Sequence, residues 1–187
     1  VKINAKGNAL TIQGEDLDVD LSIRVLNDLY ALLKKGYPLY PTDIDYAIRM
    51  ISDDRNVNLE DIFLDTVYIS SRKRVITPKS RAQKLYIDAI RKYDLVIGIG
   101  PAGTGKTYLA MAMAVASLMK QEIERIVLTR PAVEAGEKLG FLPGDISEKV
   151  NPYLRPLYDA LHDMMDFDRA SKLVERGVIE VAPLAFM

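Results

Sequence analysis

Apolar and polar residues alternate over residues 2–14, KINAKGNALTIQG, on both sides of Gly7-Asn8, and a period of two broken by such a pair predicts a β-hairpin. The period then changes. Leu21, Val25, Leu29 and Leu32 recur at helical spacing between Leu17 and Lys35, and Gly36 with Pro38 ends the run. A second helix is predicted from Pro41-Thr42, with Ile44, Ala47, Ile48 and Ile51 along one face, and DTVYIS, Asp65 to Ser70, reads as a short strand. Residues 1–71 therefore form a small α+β domain. After it come a helix from Arg81 to Lys92, a buried strand LVIGI, a helix to about Lys120 and a strand RIVLT from Arg125 to Thr129. Strand, helix and strand with short connections make the βαβ unit of a parallel sheet. A glycine-rich loop, Pro131 to Gly144, leads to helices around Glu148 to Met165 and Asp168 to Arg176, and then to the strand VIEVA from Val178. The expected architecture is α/β, a parallel sheet flanked by helices over residues 93–187, joined to the small domain by a basic linker and lead-in helix over 72–92.

Composition changes this picture at one place. With 49% hydrophobic and 27% charged residues the 187-residue chain is globular, and 25 Lys plus Arg against 26 Asp plus Glu make bulk charge uninformative about nucleic acid. Between Arg72 and Lys92, however, stand eight bases and one acid, Asp88. Two readings are open: a solvated linker and helix face, or a nucleic-acid contact. The absence of cysteine excludes a disulfide framework and thiolate metal sites and fits a reducing compartment, the cytoplasm by default. The longest apolar stretch, Leu109 to Met119, falls short of the roughly 20 residues a membrane span needs. VKINAKGN carries no signal-like apolar core, and its first residue, Val1, suggests a trimmed N-terminus.

The chemistry is concentrated in GPAGTGKT. Gly100, Pro101, Ala102, Gly103, Thr104, Gly105, Lys106 and Thr107 fit G-x-x-x-x-G-K-[ST] without deviation, between an apolar run and a predicted helix. Glycines at these positions let successive N–H groups turn toward phosphate oxygens at a helix N-terminus. Lys106 is expected to reach the β and γ phosphates, and the Thr107 hydroxyl to ligate Mg2+. Neither NKxD nor DxxG, the guanine-nucleotide signatures, occurs, so ATP is the expected nucleotide. Gln83, 17 residues before Gly100, has two readings: its amide can pair with adenine N6 and N7, or it completes the capping box Ser80-Arg81-Ala82-Gln83. Met111, Met113 and Met119 read as core filling, and His162, the single histidine, as structural or surface.

What the sequence lacks is the carboxylate that should end a neighbouring strand and position Mg2+ and water. RIVLT runs into Thr129-Arg130, and VIEVAPLAFM contains no such acid after an apolar run. Glu134 and Glu137 sit in the loop beyond Arg130, where acids are mostly solvated.

The runs ITPKSRAQKLYIDAIRKYDLVIGIGPAGTGKT and TRPAVEAGEKLGFLPGDISEKVNPYLRPLYDAL resemble the PhoH-like ATPases, and residues 1–71 look like the KH-like domain that precedes their core. In that family an acidic motif of the form LDEAQ follows a segment similar to VIEVAPLAFM, so the resemblance implies a chain cut just before its metal-positioning strand. It also implies likeness to superfamily 1 helicase cores, ATP-driven work on RNA, endoribonuclease partners and self-association. Thr129-Arg130-Pro131 would correspond to the helicase segment that contacts nucleic acid or phosphate, with Arg130 coupling phosphate to an RNA or partner site. By position alone Arg130 stands at the carboxyl end of a strand, where α/β sheets bind ligands, or is a solvated strand-end arginine. No GxxG clamp occurs in residues 1–71, which leaves that domain a packing or oligomer-contact role. Two other classes share the loop: a nucleotide-dependent switch that recruits a nuclease, and a small-molecule kinase.

Overall fold

The structure, a computed structural model, describes residues 1–71, 74–130 and 146–184; for Arg130, residues 146–154 and Pro183 it describes the backbone only. Two compact units emerge, one of residues 1–67 with 77–100, the other of residues 68–76 with 101 onward. Among the described residues no helix is long and apolar enough to cross a membrane.

In the first unit the predicted hairpin is present: β1 (Lys2–Lys6) pairs antiparallel with β2 (Ala9–Gln13), Lys6 opposite Ala9. Gly7 takes the turn at φ +58°, where a side chain would be strained. Helix α1 (Asp16–Lys34) buries Val25, Leu29 and Leu32 as its periodicity requires. Helix α2 (Pro41–Asp53) has Pro41 in its first turn, where the missing N–H costs nothing. Its buried stripe is Asp43, Ala47, Met50 and Ile51, while Ile44 and Ile48 remain about two-fifths exposed. The expected face is thus rotated, because the carboxylate of Asp43 is drawn inward by partners the helix itself does not contain. A short helix that the pattern had not indicated, α3 (Leu59–Phe63), starts at Asn58, whose side chain accepts the Glu60 N–H. Leu59, Ile62 and Phe63 join the α1 and α2 residues in one core.

The basic stretch belongs to this unit from Thr77 onward. Helix α4 (Arg81–Lys92) buries Ile87 and turns its bases onto acids. Arg81 meets Asp54 at 2.9 Å, and Lys84 meets Asp88 at 2.6 Å and Asp65 at 3.1 Å. Arg91 grips Asp65 with two parallel bonds of 2.6 and 2.7 Å, and Lys79 meets Asp43 at 2.9 Å. Four of the bases between Thr77 and Lys92 are thus paired with acids, Arg81 with most of its side chain still in water.

The run 95–99 departs from expectation. LVIGI forms no strand, and Leu95, Ile97 and Ile99 are 82%, 79% and 94% exposed. An apolar run specifies a buried parallel strand only where strands on either side accept its hydrogen bonds and cover its faces; the described residues offer it no ladder.

The second unit opens with two short strands, β3 (Tyr68–Ile69) antiparallel to β4 (Val75–Ile76), shorter than the run Asp65 to Ser70 suggested. Helix α5 (Lys106–Met119) buries Leu109, Met111, Ala112, Val115, Ala116 and Leu118. Strand β5 (Ile126–Arg130) lies parallel to β6 (Ile179–Pro183), Ile126 beside Ile179, joined by way of α6 (Ile146–Met164) and α7 (Phe167–Glu175). His162 stacks on Phe167 at 4.8 Å.

Burial alone would raise the Asp65 carboxyl, but the hydrogen bonds from Arg91 and Lys84 outweigh it and hold the group below its ordinary value. Because the folded pKa is the lower one, the unfolded chain takes up the proton first. The stabilisation is whole above about pH 4 and is lost as pH falls through the folded value. Asp65→Asn is expected to lower unfolding free energy at pH 7 by about 1–3 kcal/mol, the gap to the parent closing below about pH 4, as urea melts across pH will show.

Candidate phosphate-binding site

The loop 100–107 turns on two glycines. Gly103 (φ +76°) and Gly105 (φ +86°) both hold left-handed backbone, a conformation that costs any residue with a Cβ about 1–2 kcal/mol. Gly105 is also the N-cap of α5, and its carbonyl accepts the Leu109 N–H at 2.8 Å, so the helix begins immediately after the turn. The first N–H groups of a helix lack partners inside it, and here they lie at the loop. Buried Met111, Ala112 and Val115 seat α5 from behind.

Lys106 and Thr107 are the first two residues of that helix. The Lys106 ammonium donates to the Pro101 carbonyl at 2.6 Å and to the Thr104 hydroxyl at 3.2 Å, and Thr104 in turn donates to Pro101 at 2.9 Å. The lysine thus lies across the loop, and Thr107 is an exposed residue. A cavity of about 750 Å³, within the range of small-ligand sites, is lined by residues 102–107 and Tyr108 and, from α6, by Pro156, Asp159, Ala160 and Asp163.

These α6 residues were not anticipated. Asp159 and Asp163 are four apart, a spacing that puts them on one helical face, and only the packing of α6 reveals that the face meets the loop. Tyr108 donates to Asp163 at 2.8 Å, and Arg74 approaches the same carboxylate at 3.5 Å. Among the described residues no three His, Asp or Glu side chains converge on a metal position.

The other candidates separate. Gln83 forms half of the expected capping box: its own N–H donates to Ser80 Oγ at 3.2 Å, while its side-chain oxygen accepts the N–H of Lys79, one residue before the N-cap, at 2.6 Å. An amide oxygen accepts two hydrogen bonds, so this does not in itself withdraw Gln83 from base recognition. Arg130 ends β5, but its side chain lies outside the described residues, as do Glu134 and Glu137. Neither parallel strand ends in an acid, since β5 closes on Thr129-Arg130 and β6 on Ala182-Pro183.

Burial, and then the Asp163 carboxylate, push the Tyr108 phenol up to about 12. The folded value exceeds the unfolded one of about 10, so this stabilisation is intact below pH 10 and is lost as pH rises toward 12. Titrated at 295 nm, Tyr108→Phe is expected to delete one late phenol near pH 12 and to leave the rest of the curve unchanged.

Residues 75–187 match the family profile described as PhoH-like protein. A PhoH-like protein of Mycobacterium tuberculosis (strain ATCC 25618 / H37Rv) is 52% identical over 185 residues, 99% of this chain and 52% of its own length. One of Bacillus subtilis (strain 168) is 46% identical over 187 residues, 100% of this chain and 59% of its own. Protein PhoH of Escherichia coli (strain K12) is 42% identical over 114 residues, 60% of this chain and 32% of its own. The chain spans about half the length of the relatives that match it throughout. On the profile match and these identities together, the chain belongs to the PhoH-like family.

Proposed function

We propose that this chain binds Mg-ATP and supplies the phosphate-handling half of an ATPase. The observation that carries the reading is the pair of left-handed glycines, Gly103 and Gly105, turning the backbone directly into the N-terminus of α5 beside Lys106. Exposed N–H groups, the helix dipole and an ammonium then favour one kind of ligand, a polyphosphate.

In this reading the amides of residues 102–107 hold the phosphates. Lys106 leaves its loop carbonyl for the β and γ oxygens and stabilises the charge that grows on them as water attacks. Thr107 fits Mg2+, because a hard cation takes hydroxyl oxygen and usually brings the substrate's own phosphates as further ligands. Bound there, Mg2+ would neutralise charge on the β and γ phosphates. Gln83 would meet the adenine base, and Arg130 would couple the phosphate to RNA. The acid that orients water is supplied by neither described parallel strand.

RNA as the polymer acted upon rests on family resemblance, as do an endoribonuclease partner and a KH-like role for the first unit. One observation favours the second reading, a nucleotide-dependent switch that recruits a protein: Lys79, Arg81, Lys84 and Arg91 are each engaged by a carboxylate, which leaves less positive charge for phosphodiesters.

Lys106→Ala is expected to weaken ATP and inorganic tripolyphosphate alike, tenfold or more, by calorimetry in Mg2+. A parent chain that binds neither ligand would sink the proposal. A chain extended to the full length of the relatives is expected to hydrolyse ATP, and acceleration by single-stranded RNA separates motor from switch.

A further inference from the structure

One wall of the loop's cavity comes from a single stripe of α6. Pro156, Asp159, Ala160 and Asp163 line it together with residues 102–107 and Tyr108, and all of these belong to the second unit. The four stand at the i, i+3, i+4 and i+7 positions of one helical face, so two small apolar side chains share the wall with two carboxylates. The carboxylates differ in what already answers them. Asp163 accepts the Tyr108 hydroxyl at 2.8 Å and has the Arg74 guanidinium at 3.5 Å. Asp159 is exposed, and among the described residues no hydrogen bond or ion pair engages it.

An exposed aspartate ordinarily needs nothing but water. What sets Asp159 apart is the rest of the cavity's lining: the left-handed Gly103 and Gly105, the first turn of α5, one ammonium and one hydroxyl, Lys106 and Thr107. That set by itself points to a polyphosphate. A carboxylate with no counter-charge in the same cavity repels a bare polyanion, and repulsion is stronger beside protein than in bulk water. The same carboxylate can accept hydrogen bonds from water held by a cation, and Mg2+ keeps several of its waters when it binds phosphate. From this we infer that Asp159 is a specificity-determining residue of the phosphate site, which favours the Mg2+ complex of a polyphosphate over the metal-free anion. The inference rests on the phosphate-binding reading above and adds to it the ionic form of the ligand and a residue from outside the loop.

Calorimetry on the 187-residue chain tests this with inorganic tripolyphosphate, in excess Mg2+ and in EDTA at matched ionic strength. The readout is the ratio of the two affinities, which in the parent is expected to favour Mg2+ by about tenfold or more. Asp159→Asn changes an exposed, unengaged side chain and is expected to fold. It should lower the ratio about tenfold, with weaker binding in Mg2+ and tighter binding in EDTA. Asp168→Asn removes an equal charge from the first turn of α7, outside the cavity lining, and is expected to leave the ratio unchanged. A parent ratio in Asp159→Asn overturns the inference. So does an equal fall in Asp168→Asn, which would make the effect one of net charge, or a loss of affinity in both solutions alike, which would make Asp159 a structural residue. A parent that binds tripolyphosphate equally well with and without Mg2+ overturns it while leaving the phosphate loop intact. Binding in neither solution would instead strike at the loop itself, and at the inference with it.

Discussion

Asp43 is the interaction on which the first unit turns. Its carboxylate caps the start of α2, accepts the Tyr37 hydroxyl and receives Lys79, all without exposure to water. Removing the Lys79 ammonium would leave a buried charge unpaired, a penalty of about 3–5 kcal/mol for a broken buried pair. Burial pushes the Tyr37 phenol above its ordinary range, and the adjacent carboxylate adds to the shift, so the hydroxyl remains a donor at any physiological pH. One acid thereby fixes the rotation of α2, the edge of the core at Phe63 and the path of the chain into α4.

The remaining acids of that unit repeat the theme at lower cost. Asp54 and Asp65 stand partly in water, where a single ion pair is worth little, but the two-pronged grip of Arg91 on Asp65, with Lys84 alongside, gives a geometry that isolated surface pairs lack. The basic stretch is thus spent on holding α4 to the helices before it. A surplus of bases in sequence is an electrostatic footprint only where structure leaves those bases unanswered.

In the second unit the governing constraint is backbone conformation. Gly103 and Gly105 adopt dihedral angles that would strain other residues, and α5 is seated by small and flexible apolar side chains that let it lie close to its neighbours. The α6 face bearing Asp159 and Asp163 gives the cavity a negative wall opposite the loop.

Some of this was legible in the residues alone. The hairpin, α1, α4, α5 and the β5 and β6 strands follow from periodicity and punctuation, because local sterics and one-sided burial act within a few residues. The candidate phosphate loop was legible for the same reason: its glycines, lysine and threonine are contiguous. What tertiary structure decided was every feature that depends on a distant partner. Asp43 lies in the core because Lys79 and Tyr37 meet it there, Asp159 and Asp163 face the loop because α6 packs beside it, and Leu95, Ile97 and Ile99 stay exposed because no described strand lies beside them. Apolarity says that a residue gains by burial and charge says that it needs a counter-charge, but neither says which other part of the chain will provide it.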